Sequence, residues 1–205
     1  MIRILVVDDH PIMRFGIASI LDGQLGMQVV GQAGAGEEAV ELFTQLRPDL
    51  TLMDLQLPGL GGVAAIQQIR AHQQDAKVIV LTTYRGEDDI YQSLRAGASG
   101  YLVKGMSHEV LVEAIHRVCD GKKYIPSEVS SKLKSRNSDG ELSAREREVL
   151  ALIAKGDGNK KIAAQLGVTE ATVKCHVGAI LSRWQVEDRT QALVFALQRG
   201  FIHFS

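Results

Sequence analysis

The chain has 205 residues, 45% apolar and 23% charged, a composition that folds and excludes disorder as the default. That length is generous for one domain and comfortable for two small ones. The formal charge of −1 conceals a division: residues 1–122 hold 10 Lys+Arg against 15 Asp+Glu, and residues 123–205 hold 13 against 9, so only the second part suits a polyanion.

Short apolar runs predict strands over 2–7, 27–32, 49–53, 77–82 and 100–103. Amphipathic stretches predict helices over 11–21, 36–46, 62–72, 86–96 and 107–119. Strands buried on both faces read as continuous Val, Ile and Leu, and most of these do. Five βα units therefore predict an α/β domain over 1–121, a five-stranded doubly wound parallel sheet of the flavodoxin-like kind.

Residues 122–140 are polar and basic, with Lys132, Lys134 and Arg136. They read as a linker with a short helix near 127–135. From 141 to 205 the period is helical throughout, predicting an all-α domain of four helices. Ser143 and Glu146 have capping-box spacing and start a helix over 143–155. Asn159 is the expected cap of a helix over 160–166 ended by Gly167, and Thr169 that of a helix over 170–184. A fourth helix covers 188–199, before Gly200.

Five polar residues stand where apolar runs end: Asp8 and Asp9, Asp54, Thr82 and Lys104. The carboxyl ends of parallel strands share one crevice, so three carboxylates, a hydroxyl and an ammonium should meet there. Such a set holds a divalent cation, and Mg²⁺ needs only two or three carboxylates because it keeps part of its water shell. Asp54 is the expected nucleophile, accepting a phosphoryl group as an acyl phosphate. Lys104 and Thr82 would bind its new oxygens, one by charge and one by its hydroxyl. Gly31-Gln-Ala-Gly34-Ala-Gly36 has GxxGxG spacing rather than GxGxxG and reads as a plain turn. His10, ahead of Pro11, reads as the residue that positions a helix start.

LVVDDH at 5–10, LMDLQLPG at 52–59, VLTTY at 80–84 and GYLVK at 100–104 resemble a two-component receiver domain. The resemblance implies Asp54 as phospho-acceptor and Asp8 and Asp9 as the Mg²⁺ pocket, with the Gln56 backbone carbonyl as a further ligand. It also implies Lys104 as the phosphate-binding lysine, and Thr82 and Tyr101 as the switch pair. Thr83 stands where a small Ala is frequent and Gly61 where an Asp often caps the next helix. Gln56, Thr83 and Tyr84 together are expected to set how long the acyl phosphate survives.

In the basic part, the segment 160–184 fits a helix-turn-helix whose second helix enters a DNA major groove. Val173, Val177, Ile180, Leu181 and Trp184 share one face and should be core. Ala171, Lys174, Cys175, Gly178 and Ser182 lie opposite, with Thr172 and His176 on the flanks. Lys160, Lys161 and Lys174 supply charge near the groove. LSAREREVLALIAKG at 142–156, NKKIAAQLGVTEATVKCHVGAIL at 159–181 and DRTQAL at 188–193 resemble the LuxR-type DNA-binding domain. With the receiver in front, the architecture resembles the NarL/FixJ response regulators. The resemblance implies DNA contacts from Lys174, Cys175 and the first turn of the recognition helix, which holds Thr169 and Thr172. Ser182-Arg183-Trp184-Gln185 departs from the frequent Arg/Lys-Lys-Leu-Gly.

The expected protein is a switch, not a turnover enzyme. A sensor histidine kinase would phosphorylate Asp54, and homodimers would bind promoter DNA, with Leu193, Val194 and Leu197 as a pairing surface. Slow self-dephosphorylation would reset it. Two alternatives remain at this point: an aspartyl-phosphate phosphatase, whose DxD motif would follow the first strand, and a DNA-binding protein that needs no phosphate. Cys119 and Cys175 share no metal-ligand spacing. No apolar run approaches the ~18–20 residues that span a bilayer. A reducing cytoplasm is the expected location.

Overall fold

The computed structural model describes residues 1–83, 86–126 and 142–202. The chain forms two compact units, one α/β and one helical. The predicted linker falls largely outside the described residues, as do its short helix near 127–135 and Tyr84.

In the first unit, β1 (Ile2–Val7), α1 (Pro11–Asp22), β2 (Met27–Ala33), α2 (Gly36–Leu46), β3 (Leu50–Met53), α3 (Gly62–His72), β4 (Val78–Thr82), α4 (Glu87–Arg95), β5 (Gly100–Val103) and α5 (His108–Cys119) alternate. The sheet is parallel throughout, in the order β2-β1-β3-β4-β5. The order reverses direction beside β1, and ligands of such sheets bind at that switch point. Leu50–Met53 and Val78–Thr82 are buried at every position, which is why their sequence is continuously apolar. Ile4, Val6, Leu52, Ile79, Leu81 and Leu102 pack with Leu111, Ile115 and Val118 of α5 into the core beneath one face.

Two glycines are required by close approach. A Cβ on Gly36 would lie 1.9 Å from the Leu60 carbonyl oxygen, and one on Gly62 2.1 Å from that of Asp54. Real Cβ atoms are never so close, so the loop from 54 to 62 docks only on bare backbone. As expected without an Asp, α3 has Gly61 at its N-cap and no side-chain cap.

The second unit holds α6 (Ala144–Ala154), α7 (Asn159–Leu166), α8 (Glu170–Trp184) and α9 (Arg189–Arg199). Ser143 and Glu146 form the full capping box, Thr169 caps α8 and Asp188 caps α9. Asn159 does not cap α7. Gly158 is the N-cap, and its carbonyl accepts from Lys161 N and Ile162 N, so Asn159 already lies in the first turn. Val173, Ile180 and Trp184 of α8 are buried, with Val177 and Leu181 half-buried against the same clusters. Of the residues expected to form a pairing surface on α9, Val194 is exposed, whereas Leu193 and Leu197 are half-buried against the domain's own core clusters. Positions four apart share one helix face, and the buried face of α9 holds Ala192 and Ala196.

The departure at the end of α8 has a structural cost. Gln185 is the C-cap in the left-handed conformation, φ 54°, where glycine is preferred. Trp184 beside it stacks on Phe195 and Phe201, with ring centroids 4.9 and 5.0 Å away. Gln185→Gly is expected to stabilise the domain by about 1 kcal/mol, read as a rise in its denaturation midpoint.

Candidate functional site

The sheet register builds the acidic crevice. Val7 pairs with Met53, and Asp54 N donates to the Val7 carbonyl at 2.9 Å. Asp8 and Asp54 therefore leave adjacent strands side by side. Asp8 N donates to Ala33 O at 3.1 Å, which fixes the other flank. Thr82 ends β4, and Lys104 N donates to its carbonyl at 2.8 Å. All five predicted strand-end residues thus line one end of the sheet.

Asp8, Asp54 and Thr82 are buried, whereas Asp9 is exposed. Lys104 ties the carboxylates together, its Nζ 2.7 Å from Asp8 Oδ2 and 2.6 Å from Asp54 Oδ2. Burial pushes the Asp54 carboxyl above the ordinary range, and the Lys104 contacts withdraw part of that rise. Burial alone would lower Lys104, but its bonds to Asp54 and Asp8 outweigh that and hold it above the usual lysine value. It stays an ammonium at neutral pH. Gln56 N donates to Asp54 Oδ1 at 3.3 Å, placing Gln56 beside the acceptor.

His10 takes part in two ways. It is the N-cap of α1, ahead of Pro11 at the first turn, as its sequence position suggests. Its ring also joins the cluster, with Nδ1 2.6 Å from Asp9 Oδ1. One ligand atom from each of Asp8, Asp9, His10 and Asp54 lies within 4.8 Å of the others. Three carboxylates fit the hard-oxygen preference of Mg²⁺. Two supporting residues escaped the sequence reading. Arg14 donates to the Asp8 carbonyl, and Glu37 Oε1 accepts from Leu60 N at 2.9 Å, holding the loop that follows Asp54. No motif marks either, because both act on backbone atoms rather than on a side chain of fixed spacing.

Tyr101 is wholly buried. Burial first, then the charges of Asp89 and Asp54, push its phenol far upward, so it remains neutral. Thr83 is exposed at the end of β4.

In the helical unit, Gly167 at φ 64° ends α7, and Thr169 starts α8 by accepting from Thr172 N at 3.1 Å. The Thr169 and Thr172 hydroxyls are also 2.8 Å apart. Lys160, Lys161, Lys174 and Cys175 are exposed and His176 is half-buried. Two of the lysines have acidic neighbours one turn earlier: Lys161 Nζ is 2.6 Å from Asp157 Oδ1, and Lys174 Nζ is 3.6 Å from Glu170 Oε1. Gly178 has open space around the place of a Cβ, so the exposed face of α8 is smooth there.

An acidic crevice at one end of a five-stranded parallel sheet, in a chain that also carries a helix-turn-helix unit, defines a receiver joined to a DNA-binding output domain. A family model described as "Response regulator receiver domain" matches residues 4–116. One described as "Bacterial regulatory proteins, luxR family" matches residues 140–196. The transcriptional regulatory protein LiaR of Bacillus subtilis is 41% identical over 211 residues, covering 99% of this chain and 100% of that one. The response regulator VraR of Staphylococcus aureus is 38% identical over 206 residues, covering 98% and 99%. Among solved structures, the response regulator ChrA of a heme-sensing two-component system is 34% identical, with a TM-score of 0.57 over 98% of each chain. RcsB of Salmonella enterica serovar Typhimurium, bound to a promoter with phosphomimetic BeF₃⁻, is 27% identical, with a TM-score of 0.69 over 96% and 98%. The chain belongs to the two-component response regulators of the NarL/FixJ family, which pair a receiver with a LuxR-type helix-turn-helix domain. Among the described residues no helix is long and apolar enough to cross a membrane.

Proposed function

We propose that a sensor histidine kinase phosphorylates Asp54 and that this controls pairing of two copies on promoter DNA. The observation that carries the reading is the buried Asp54 carboxylate held against Lys104 beside Asp8. An Asp54 oxygen attacks the phosphorus of a phosphohistidine. The O–P bond forms as the N–P bond breaks, and the imidazole leaves with its electron pair. Asp8, Asp9 and Asp54, with the Gln56 carbonyl, would hold Mg²⁺, which when bound offsets negative charge on the phosphoryl oxygens. Lys104 is placed to pair with one new oxygen and the Thr82 hydroxyl to bond another. Water later cleaves the acyl phosphate, releasing inorganic phosphate and restoring Asp54, so the protein resets slowly without being a turnover enzyme.

Ile12, Met13 and Phe15 on α1 are exposed. Met13, Ile17, Ile20, Met106 and Leu111 line an apolar cavity of about 210 Å³ next to Lys104. This apolar flank suits the kinase, whose phosphohistidine must reach Asp54. Two DNA-binding units on a two-part site then gain affinity through effective concentration.

Exposed Thr83 supports a role at the mouth of the site, where it screens Asp54 from water. Thr83→Ala is expected to shorten the half-life of the acyl phosphate about threefold, measured by loss of the phosphorylated species with time. An unchanged half-life would remove Thr83 from the mechanism.

For DNA, Lys174 and Cys175 face the base edges, while Lys160, Lys161, Thr169, Thr172 and His176 lie around them toward the backbone. Lys174→Ala is expected to weaken promoter binding about tenfold and to lower the salt slope by about one. Titration at several salt concentrations reads both.

The experiment that tests the whole reading treats the protein with a small phosphodonor and Mg²⁺, then compares DNA binding before and after. Single phosphorylation on Asp54 with tighter DNA binding is the expected result. Equal affinity in both states would instead support a DNA-binding protein that needs no phosphate, and turnover of a small phosphate ester would support the phosphatase.

A further inference from the structure

The strand β5 lies at the edge of the sheet, paired on one side with β4. Backbone N–H and C=O groups alternate sides along a strand, so its free side presents the Tyr101 amide and the Ser99 carbonyl. Both are taken by one residue beyond α5. Tyr101 N donates to the Tyr124 carbonyl at 2.9 Å, and Tyr124 N donates to the Ser99 carbonyl at 3.1 Å. The pair forms a parallel bridge around Gly100. The bridge is close: a Cβ on Gly100 would lie 3.3 Å from Tyr124 O and 3.0 Å from Ile79 Cγ1. The ring of Tyr124 packs against the core that includes Leu102 and Val118, with the Arg117 guanidinium 5.5 Å over it.

The same short strand carries Tyr101 and leads into Lys104, the residues that sense Asp54. The chain that leaves the receiver toward the DNA-binding domain is therefore bonded directly to the sensing strand. We propose that Tyr124 is a latch through which β5 transmits the state of Asp54 to the segment joining the domains. This rests on the reading of Asp54 as the phospho-acceptor. When Lys104 and Tyr101 shift around the phosphoryl group, β5 moves, and the Tyr124 bridge must follow or open. Either response changes where the joining segment departs. Tyr124 is a positioning residue, remote from the reacting atoms.

The test uses the full chain and two substitutions. Tyr124→Pro removes the N–H that reaches Ser99, whereas Tyr124→Phe keeps both bridge bonds and the ring. Each is treated with a small phosphodonor and Mg²⁺, and phosphate on Asp54 is quantified by intact mass. Affinity is measured for a DNA duplex selected from random sequences by the phosphorylated wild type. The expected result is phosphate uptake by Tyr124→Pro equal to wild type, with the phosphorylation-dependent gain in affinity reduced at least about tenfold. Tyr124→Phe should keep the full gain. A full gain in Tyr124→Pro overturns the latch.

Should Tyr124→Pro fail to fold, amide exchange on the wild type decides, with and without beryllium fluoride. Protection at Tyr101 and across 122–126 must change together. A change at Tyr101 with none at 122–126 overturns the latch. A wild-type protein that takes up no phosphate on Asp54 overturns the phospho-acceptor reading and the latch with it, which is distinct from phosphorylation with an unimpaired response in Tyr124→Pro.

Discussion

Asp54→Asn is expected to end phosphorylation by small phosphodonors, with uptake falling more than about 100-fold. Intact mass after treatment reads this directly. The amide oxygen is a poor nucleophile, and the substitution keeps the shape of a side chain that is 3% exposed. Stability should hardly suffer. Burial already works against the charged form of Asp54, so a neutral isostere, whose amide oxygen can still accept from Lys104, forfeits the charge–charge attraction but escapes that desolvation. Lys104 keeps its bond to Asp8. A DNA affinity insensitive to phosphodonor, in a protein with a near-native denaturation midpoint, completes the expected pattern. Residual uptake near the wild-type level would place the acceptor elsewhere.

Glu146→Ala is expected to destabilise the DNA-binding domain by about 3 kcal/mol. One carboxylate performs two tasks there. Its Oε2 accepts from Ser143 N at 2.7 Å, closing the capping box of α6, and receives Arg183 Nη1 at 2.6 Å, tying α6 to α8. Burial would raise its pKa, but the bonds from Ser143 and Arg183 outweigh this and hold it below the usual glutamate range. A carboxyl depressed in the folded state adds stability that is complete above its unfolded value and is lost as pH falls through the folded one. The domain should therefore lose stability in acid below about pH 4.5, more steeply in the wild type than in Glu146→Gln. Denaturant titrations across that range would show it. Parallel pH profiles for the two proteins would assign the acid sensitivity to another group.

The strand-end residues were legible because a parallel sheet turns one-dimensional order into shared position: Asp8, Asp54, Thr82 and Lys104 each end a run, and all the strands point one way. Caps were legible where a side chain makes them, as at Ser143 and Thr169. They were not where backbone alone does the work, which is why Gly158 displaced Asn159. That Leu193 and Leu197 are half-buried against their own domain's core was not legible, because periodicity finds an apolar face without saying what covers it. The charges of the helix-turn-helix unit were visible, but the Lys161–Asp157 and Lys174–Glu170 pairs that moderate them depend on rotamers. The bridge at Tyr124 joins residues on opposite sides of a helix in sequence, and no local pattern announces it.

The site has a further property as an object that must be synthesised. Asp8 follows β1 and its partner in the crevice, Lys104, follows β5, so the strands between them must all be in place before the two meet. β1 is flanked by β2 and β3, and β5, last of the five in the chain, lies at one edge. Non-local parallel pairing of this kind is slow to form. In an emerging chain the Asp8–Lys104 pair therefore cannot form until β5 is available, which is nearly the whole of the first unit. The crevice is thus the last feature of the first unit to be completed, and that order follows from strand topology alone.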